Sequence, residues 1–173
     1  MEWIKCDENR LDELADLYDR VVDYLEIHIN YPKWSHAYPC RESVREAILQ
    51  GCQYACLDEN GRIAGATVIN DNPGGDYEAG EWTRSLKRGE YLIIHSLAVD
   101  PGKTRRGIGD FMVKEGLALA RKEGFQAVRL DVVPGNTPAL KLYERNGFTY
   151  AGTKDLKRGF ANIPVFELYE KNL

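Results

Sequence analysis

No stretch of this 173-residue chain approaches the ~20 consecutive apolar residues that a membrane span requires. Met1–Arg10 is charged throughout, where a secretory leader would place an apolar run. Neither membrane nor export is therefore expected, and the cytoplasm is the expected location. Cysteine is scarce. Cys6, Cys40, Cys52 and Cys56 form no C-x-x-C pair and no Cys/His array at zinc spacing, so no metal is expected. They read as small buried hydrophobes in a reducing compartment. An excess of positive charge is also missing. With 23 Lys+Arg against 27 Asp+Glu the net charge is −4, without the basic stripe that supplies most nucleic-acid affinity. Nucleic acid is not an expected partner. Repeats, low-complexity tracts and linkers are absent too. Residues 1–173 thus read as a single domain, long enough to bury roughly 70% of its surface.

What is present alternates short strands with helices. Glu2–Lys5 is a candidate first strand. Leu11, Leu14, Ala15, Tyr18, Val21, Val22, Leu25 and Ile29 recur at the 3–4 spacing of one helix face. A loop, Asn30–Arg41, carries Tyr31, Trp34 and Tyr38, and Glu42–Leu49 reads as a second helix. Tyr54–Leu57 and Ile63–Ile69 flank Asp58-Glu59-Asn60-Gly61, a hairpin signal. Asn70–Glu90 is glycine-rich, acidic and without periodicity, which fits either a lid or a decorated surface loop. Tyr91–Val99 is a near-continuous apolar run, as in a strand buried on both faces. Gly107–Glu123 is helical and Ala127–Val133 β-rich. Pro138–Asn146 is a short helix, and Phe148–Ala151 and Ile163–Tyr169 close the chain as strands.

The segment from Tyr91 to the helix at Gly107 is the most informative. A glycine-rich turn from a buried strand into a helix N-terminus exposes successive backbone N–H groups, which suit a phosphate. Gly107 and Gly109 allow close approach, and Lys103, Arg105 and Arg106 add positive charge. A plain strand–turn–helix with a solvated basic loop would look similar. A Walker A loop is excluded, because no G-x-x-x-x-G-K-[ST] occurs. A dinucleotide fingerprint fails at its third glycine, since Gly107-Ile108-Gly109 continues as Asp110-Phe111-Met112.

A second segment follows Leu130-Asp131-Val132-Val133: Asn136, Ala139, Tyr143 and Gly147-Phe148. Together the two segments resemble the GCN5-related N-acetyltransferase (GNAT) superfamily. Its signature has a strand ending L-x-V, then [QR]-x-x-G-x-[GA], and later N-x-x-A-x-x-x-Y-x-x-x-G-F. Here these read Leu97-Ala98-Val99, Thr104-Arg105-Arg106-Gly107-Ile108-Gly109, and Asn136 through Phe148. Thr104 departs from the usual Gln or Arg, which puts cofactor affinity in question more than the resemblance.

The resemblance implies a mixed α/β fold, with a twisted central sheet of six or seven strands and about four helices. It implies acetyl-CoA as co-substrate and transfer of the acetyl group directly to a primary amine. Backbone groups of Leu97, Ala98 and Val99 would pair with pantetheine, with an N–H of Leu97 or Ala98 holding the thioester oxygen. N–H groups from Thr104, Arg105, Arg106, Gly107, Ile108, Gly109 and Asp110 would cradle the pyrophosphate. Asn136 would fix pantetheine through its amide, and Ala139 would leave room beside it. Tyr143 would contact the cofactor and protonate the departing thiolate, although an aromatic at this position also suits a core. His95 is the candidate base, two residues before Leu97 and on the same side by strand alternation. It could equally be a core histidine bonded to a carbonyl. Glu26, His28, His36, Glu78, Glu81, Asp131 or a water chain remain open for that role.

The acceptor is expected where Asn30–Arg41 meets a hairpin turn near Lys157–Asn162, with Tyr31, Trp34 and Tyr38 as an aromatic wall. Those aromatics could instead pin the loop to the body. The acidic insertion would favour a cationic acceptor. A small-molecule amine is the expected partner of a monomer or homodimer. A peptide or protein N-acetyltransferase is one alternative, and a non-catalytic acyl-CoA-binding module another.

Overall fold

Apolar spacing and turn chemistry set the elements one by one. In the computed structural model, which describes residues 1–173, Glu2–Lys5 forms β1, and the helix α1 runs Leu11–Ile27. A 3-10 turn at Glu8–Arg10 leads into it, with the Asp7 carboxylate accepting from the Asn9 N–H. Leu14, Leu17, Tyr18, Val21 and Val22 are buried along one face, as their spacing requires. The helix stops two residues before the expected Ile29. His28 turns extended and stacks on Tyr24, its Nδ1 2.7 Å from the Tyr24 carbonyl, so Ile29 lies outside the helix and exposed.

The second helix, α2, spans Arg41–Leu49, and Ser43 Oγ caps it by accepting from Cys40 N–H. Strands β2 (Gln53–Leu57) and β3 (Ile63–Asn70) form the expected hairpin. Asp58 Oδ1 accepts from both Asn60 N and Arg62 N, and Gly61 supplies a φ of +71°. The remaining elements are β4 (Tyr91–Val99), α3 (Ile108–Lys122), β5 (Ala127–Val132), α4 (Thr137–Arg145), β6 (Thr149–Lys154) and β7 (Phe166–Asn172). β7 begins three residues later than the apolar pattern at Ile163 suggests. Pro164 has no N–H to donate to a ladder, so Ile163 stays in the connection.

The seven strands make one mixed sheet in the order β1-β2-β3-β4-β5-β7-β6. β1, β2 and β3 pair antiparallel, as do β5 with β7 and β7 with β6. β4 and β5 pair parallel, over only Tyr91↔Ala127, Leu92↔Val128 and Ile93↔Arg129, although β4 continues to Val99 and β5 to Val132.

Two units contribute to the chain. One comprises Met1–Asn30, Trp34–Ile69 and His95–Glu115, and the other Tyr31–Lys33, Asn70–Ile94 and Gly116–Leu173. The first is built on Leu14, Leu17, Tyr18, Val44, Ala55, Ala66 and Ala98. The second is built on Tyr77, Tyr91, Ile93, Leu156, Phe166 and Leu168.

Within the second unit, the Asn70–Glu90 insertion is held down rather than free. Tyr77, in a short 3-10 turn, is buried, and its hydroxyl donates to Asp131 Oδ2 at 2.5 Å. Trp82 Nε1 donates to the Tyr77 carbonyl at 2.6 Å. Beneath it lie Arg129 on β5 and Glu170 on β7, 2% and 1% exposed. The Arg129 guanidinium sits between the rings of Trp82 and Tyr91, 4.2 and 4.3 Å from their centroids. Glu170 Oε1 accepts from Thr83 N and Thr83 Oγ1, both at 2.6 Å, and Arg129 Nη2 donates to the Arg84 carbonyl. Arg129 Nε and Glu170 Oε2 face each other at 3.7 Å without a hydrogen bond. Burial pulls the Arg129 guanidinium below its usual value, and the Glu170 charge opposes that pull.

The insertion is therefore a strap fastened over a buried ion pair. Arg129→Met should lower unfolding free energy in urea by about 3–5 kcal/mol, because Glu170 would be left buried without a counter-charge. Arg129→Met/Glu170→Leu should recover a large part of that loss.

Candidate active site

β4 changes character at Ser96. This serine has φ +47°, a left-handed conformation costing a non-glycine residue about 1–2 kcal/mol. Side-chain hydroxyls hold it there. Buried Tyr18 on α1 donates to the Ser96 carbonyl at 2.8 Å, and Tyr38 Oη lies 2.6 Å from Ser96 Oγ. One residue earlier, Thr67 Oγ1 donates to the His95 carbonyl at 2.8 Å. The kink corrects one expectation: period-2 alternation does not carry across Ser96, so placing His95 and Leu97 on one side has no basis. His95 is half-buried on β4.

Downstream of the kink, the backbone facing can be read off. Asp100 N–H donates to the β3-edge carbonyl of Ala64 at 2.9 Å. The Ala98 carbonyl also faces β3, lying 2.9 Å from where a Cβ on Gly65 would stand. Strand residues alternate between their two edges. Leu97 and Val99 therefore turn their N–H groups away from β3, whereas Ala98 faces it.

The loop that follows turns the chain from β4 into α3. Pro101–Lys103 forms a 3-10 turn, with Asp100 Oδ1 accepting from Gly102 N at 2.9 Å. Thr104 is extended, Arg105 and Gly107 have φ of +62° and +75°, and residues Thr104–Gly107 are exposed. The first bond of α3 is Phe111 N to the Gly107 carbonyl, so the N–H groups of Ile108, Gly109 and Asp110 precede the helical ladder. Lys103 is committed elsewhere: its Nζ pairs with Asp58 Oδ2 at 2.5 Å. That contact and the Arg62 N–H hold the Asp58 carboxyl down at about 2.

In the other unit, Asn136 is the N-cap of α4, its Oδ1 accepting from Ala139 N at 3.4 Å. Ala139 is half-buried one turn in. Tyr143 is 7% exposed and packs edge-to-face on Phe148 at 5.6 Å. Burial, assisted by the charge of Asp131, pushes its phenol well above the usual value, so it stays protonated at neutral pH.

The open candidates for a base are mostly engaged. Asp131 accepts from Tyr77 and from both Nη atoms of Arg158, at 2.7 and 2.9 Å. Glu81 pairs with Lys154. His36 lies on the exposed face of α1, 3.3 Å from Asp19, 3.2 Å from Asp23 and 4.0 Å from Glu26. The Asp19 hydrogen bond chiefly raises its pKa. Asp23, Glu26 and His36 are close enough to share a cation, but all three are exposed and their mutual ion pairs account for the grouping. Sequence reasoning missed the residues that shape β4, Tyr18, Thr67 and Ser96, because none belongs to a motif. Of the loop aromatics, Trp34 packs edge-on against Tyr18 and pins the loop to the body, whereas Tyr38 is exposed.

Comparison with known proteins decides what these halves belong to. The acetyltransferase (GNAT) family model matches residues 14–148. The chain belongs to the GNAT family. Among its relatives, a mycothiol acetyltransferase of Corynebacterium glutamicum is 50% identical over 62 residues, covering 36% of this chain and 21% of that protein. An uncharacterized N-acetyltransferase of Methanocaldococcus jannaschii is 34% identical over 67 residues, 39% of this chain and 30% of its own length. The chain thus spans less than a third of the length of these relatives. Among solved structures, a GNAT acetyltransferase of Streptococcus agalactiae aligns with a TM-score of 0.78 at 19% identity, covering 99% of this chain and 95% of the other. A Salmonella typhimurium acetyltransferase solved with acetyl-CoA aligns at 0.71 and 17% identity, covering 100% and 94%. These share the seven-stranded mixed GNAT fold. No helix of the chain is long and apolar enough to cross a membrane.

The Asp58–Lys103 pair steadies this GNAT loop, and its pH response has a definite sign. A carboxyl held low contributes stability above its ordinary value near 4, lost as pH falls toward 2. Carboxyl NMR should show Asp58 titrating near 2, and Lys103→Met should return its midpoint toward the ordinary value.

Proposed function

We propose that this chain is an acetyl-CoA-dependent N-acetyltransferase acting on a primary amine of a small molecule. The observation that carries the reading is the run from Leu97 to Asp110: Leu97 and Val99 donors turned away from β3, a left-handed turn, and the N–H groups that precede the helical ladder of α3. That donor set fits a pantetheine arm followed by a pyrophosphate.

Bound acetyl-CoA would supply the activated acetyl group as a thioester. The chain's residues do the rest. Backbone groups of Leu97 and Val99, on the edge turned from β3, orient the arm, whereas Ala98, expected from the motif to share this role, faces β3; the Leu97 N–H stabilises negative charge developing on the thioester oxygen. N–H groups from Thr104 to Asp110 hold the pyrophosphate, with Arg105 and Arg106 adding charge. The Asn136 amide and the small Ala139 position the pantetheine. Tyr143, protonated, donates to the departing sulfur. His95 remains the proposed base for the amine.

A small-molecule acceptor is supported by the mycothiol acetyltransferases among the relatives. A cleft of about 470 Å³ in the second unit, bordered by Lys157, Phe160, Ile163 and Phe166, is also of small-ligand size. A cytoplasmic setting suits four free cysteines, three of them buried.

Calorimetric titration with acetyl-CoA should show binding in preference to ATP and NAD, and an amine panel should release free CoA. Binding without release for any amine would leave a non-catalytic acyl-CoA-binding module, and no binding would remove the reading. Tyr143→Phe should lower kcat by about 10²-fold or more. Because the Tyr143 phenol is raised, the wild-type kcat profile should show no loss from this group below about pH 10.

A further inference from the structure

Beyond the residues that would touch acetyl-CoA, the structure holds a second layer that aims one of them. The peptide unit joining Ser96 to Leu97 is planar, with its carbonyl and N–H pointing in opposite directions. Tyr18 donates to that carbonyl at 2.8 Å from the core of the first unit. Its hydroxyl therefore fixes the plane of the peptide and sends the Leu97 N–H the other way, to the edge turned from β3.

The preceding peptide unit is fixed in the same manner. Thr67 Oγ1 holds the His95 carbonyl at 2.8 Å, so both units flanking the left-handed Ser96 are tied by hydroxyl groups. Tyr38 then holds the Ser96 side chain itself, Oη to Oγ 2.6 Å, from the segment between α1 and α2. A left-handed serine has no conformational preference for staying so. These contacts, at three successive points, select that state.

We infer that Tyr18 and Tyr38 are positioning residues for acetyl transfer, acting through Ser96 on the Leu97 N–H. This rests on the acetyl-CoA reading above. Two effects follow from the same bond. Orientation places the N–H where thioester charge develops. Polarisation adds to it, because a carbonyl that accepts a hydrogen bond makes the N–H of its own peptide a stronger donor. Neither tyrosine needs to touch the cofactor.

The test reads the thioester carbonyl directly. Infrared difference spectra would be recorded with acetyl-CoA carrying carbon-13 at the thioester carbonyl, bound to wild type, Tyr18→Phe and Tyr38→Phe. Wild type should lower the carbonyl frequency relative to free acetyl-CoA. Tyr18→Phe should return the band at least half-way to the free position, and Tyr38→Phe should return it by a smaller step. Affinity for acetyl-CoA should change by no more than about threefold in either, because the pyrophosphate contacts remain. Should Tyr18→Phe fail to fold, the exposed Tyr38 carries the test, since its hydroxyl is not part of the core. A shifted band in wild type that both variants, or Tyr38→Phe alone if only it folds, retain unchanged would overturn the inference and leave the acetyl-CoA reading intact. No bound band in wild type would overturn that reading, and the inference with it.

Discussion

One serine in a conformation it would not choose alone organises the first half of the site. Ser96 interrupts β4 with a φ of +47°. Left-handed geometry there costs about 1–2 kcal/mol, and a hydrogen bond is worth about 1 kcal/mol net. The contacts from Tyr18, Thr67 and Tyr38 are enough to offset it. Upstream of the kink, Tyr91–Ile93 belongs to the ladder with β5. Downstream, the facing of Leu97, Ala98 and Val99 is set by the register with β3. The strand therefore changes its commitments along its length, and its Leu97 and Val99 N–H groups point away from β3.

A second constraint operates in the other unit. Two full charges, Arg129 and Glu170, lie almost wholly out of water. Such a pair is tolerable only when its remaining donors and acceptors are satisfied. Trp82, Thr83 and the Arg84 carbonyl supply partners from the insertion, while Arg129 Nε and Glu170 Oε2 have only each other's charge, which is why a glycine-rich segment without periodicity is nonetheless fastened. The choice between lid and surface loop resolves toward a strap. Its acidity is also spent locally: Glu81 meets Lys154, and Asp71 meets Arg88. An acidic count in sequence therefore translates poorly into a field that would draw a cationic acceptor.

The comparisons and the local geometry bear on different parts of the chain. The family match runs through both units, from residue 14 to 148. The solved structures agree over the whole chain at 20% identity or below, which carries fold and nothing finer.

Local patterns in the sequence were sufficient for every helix and strand, for the Asp58–Gly61 hairpin, for the glycine turn into α3 and for the Asn136–Phe148 string. Each of these depends on neighbours within a turn or a pleat, so its chemistry is written in adjacent residues. The misjudged ends have the same kind of cause: α1 yields to His28 stacking on Tyr24, and β7 waits until Pro164 is passed. What only the tertiary structure decided depends on distant partners. Serine carries no left-handed signature, so the kink at Ser96 appears only once Tyr18 and Tyr38 have folded against it. Asp131 could have been a base until Tyr77 and Arg158 occupied it. The direction of the Leu97 N–H, on which the proposed chemistry turns, follows from the facing of β4 against β3 and from the Tyr18 bond to the Ser96 carbonyl.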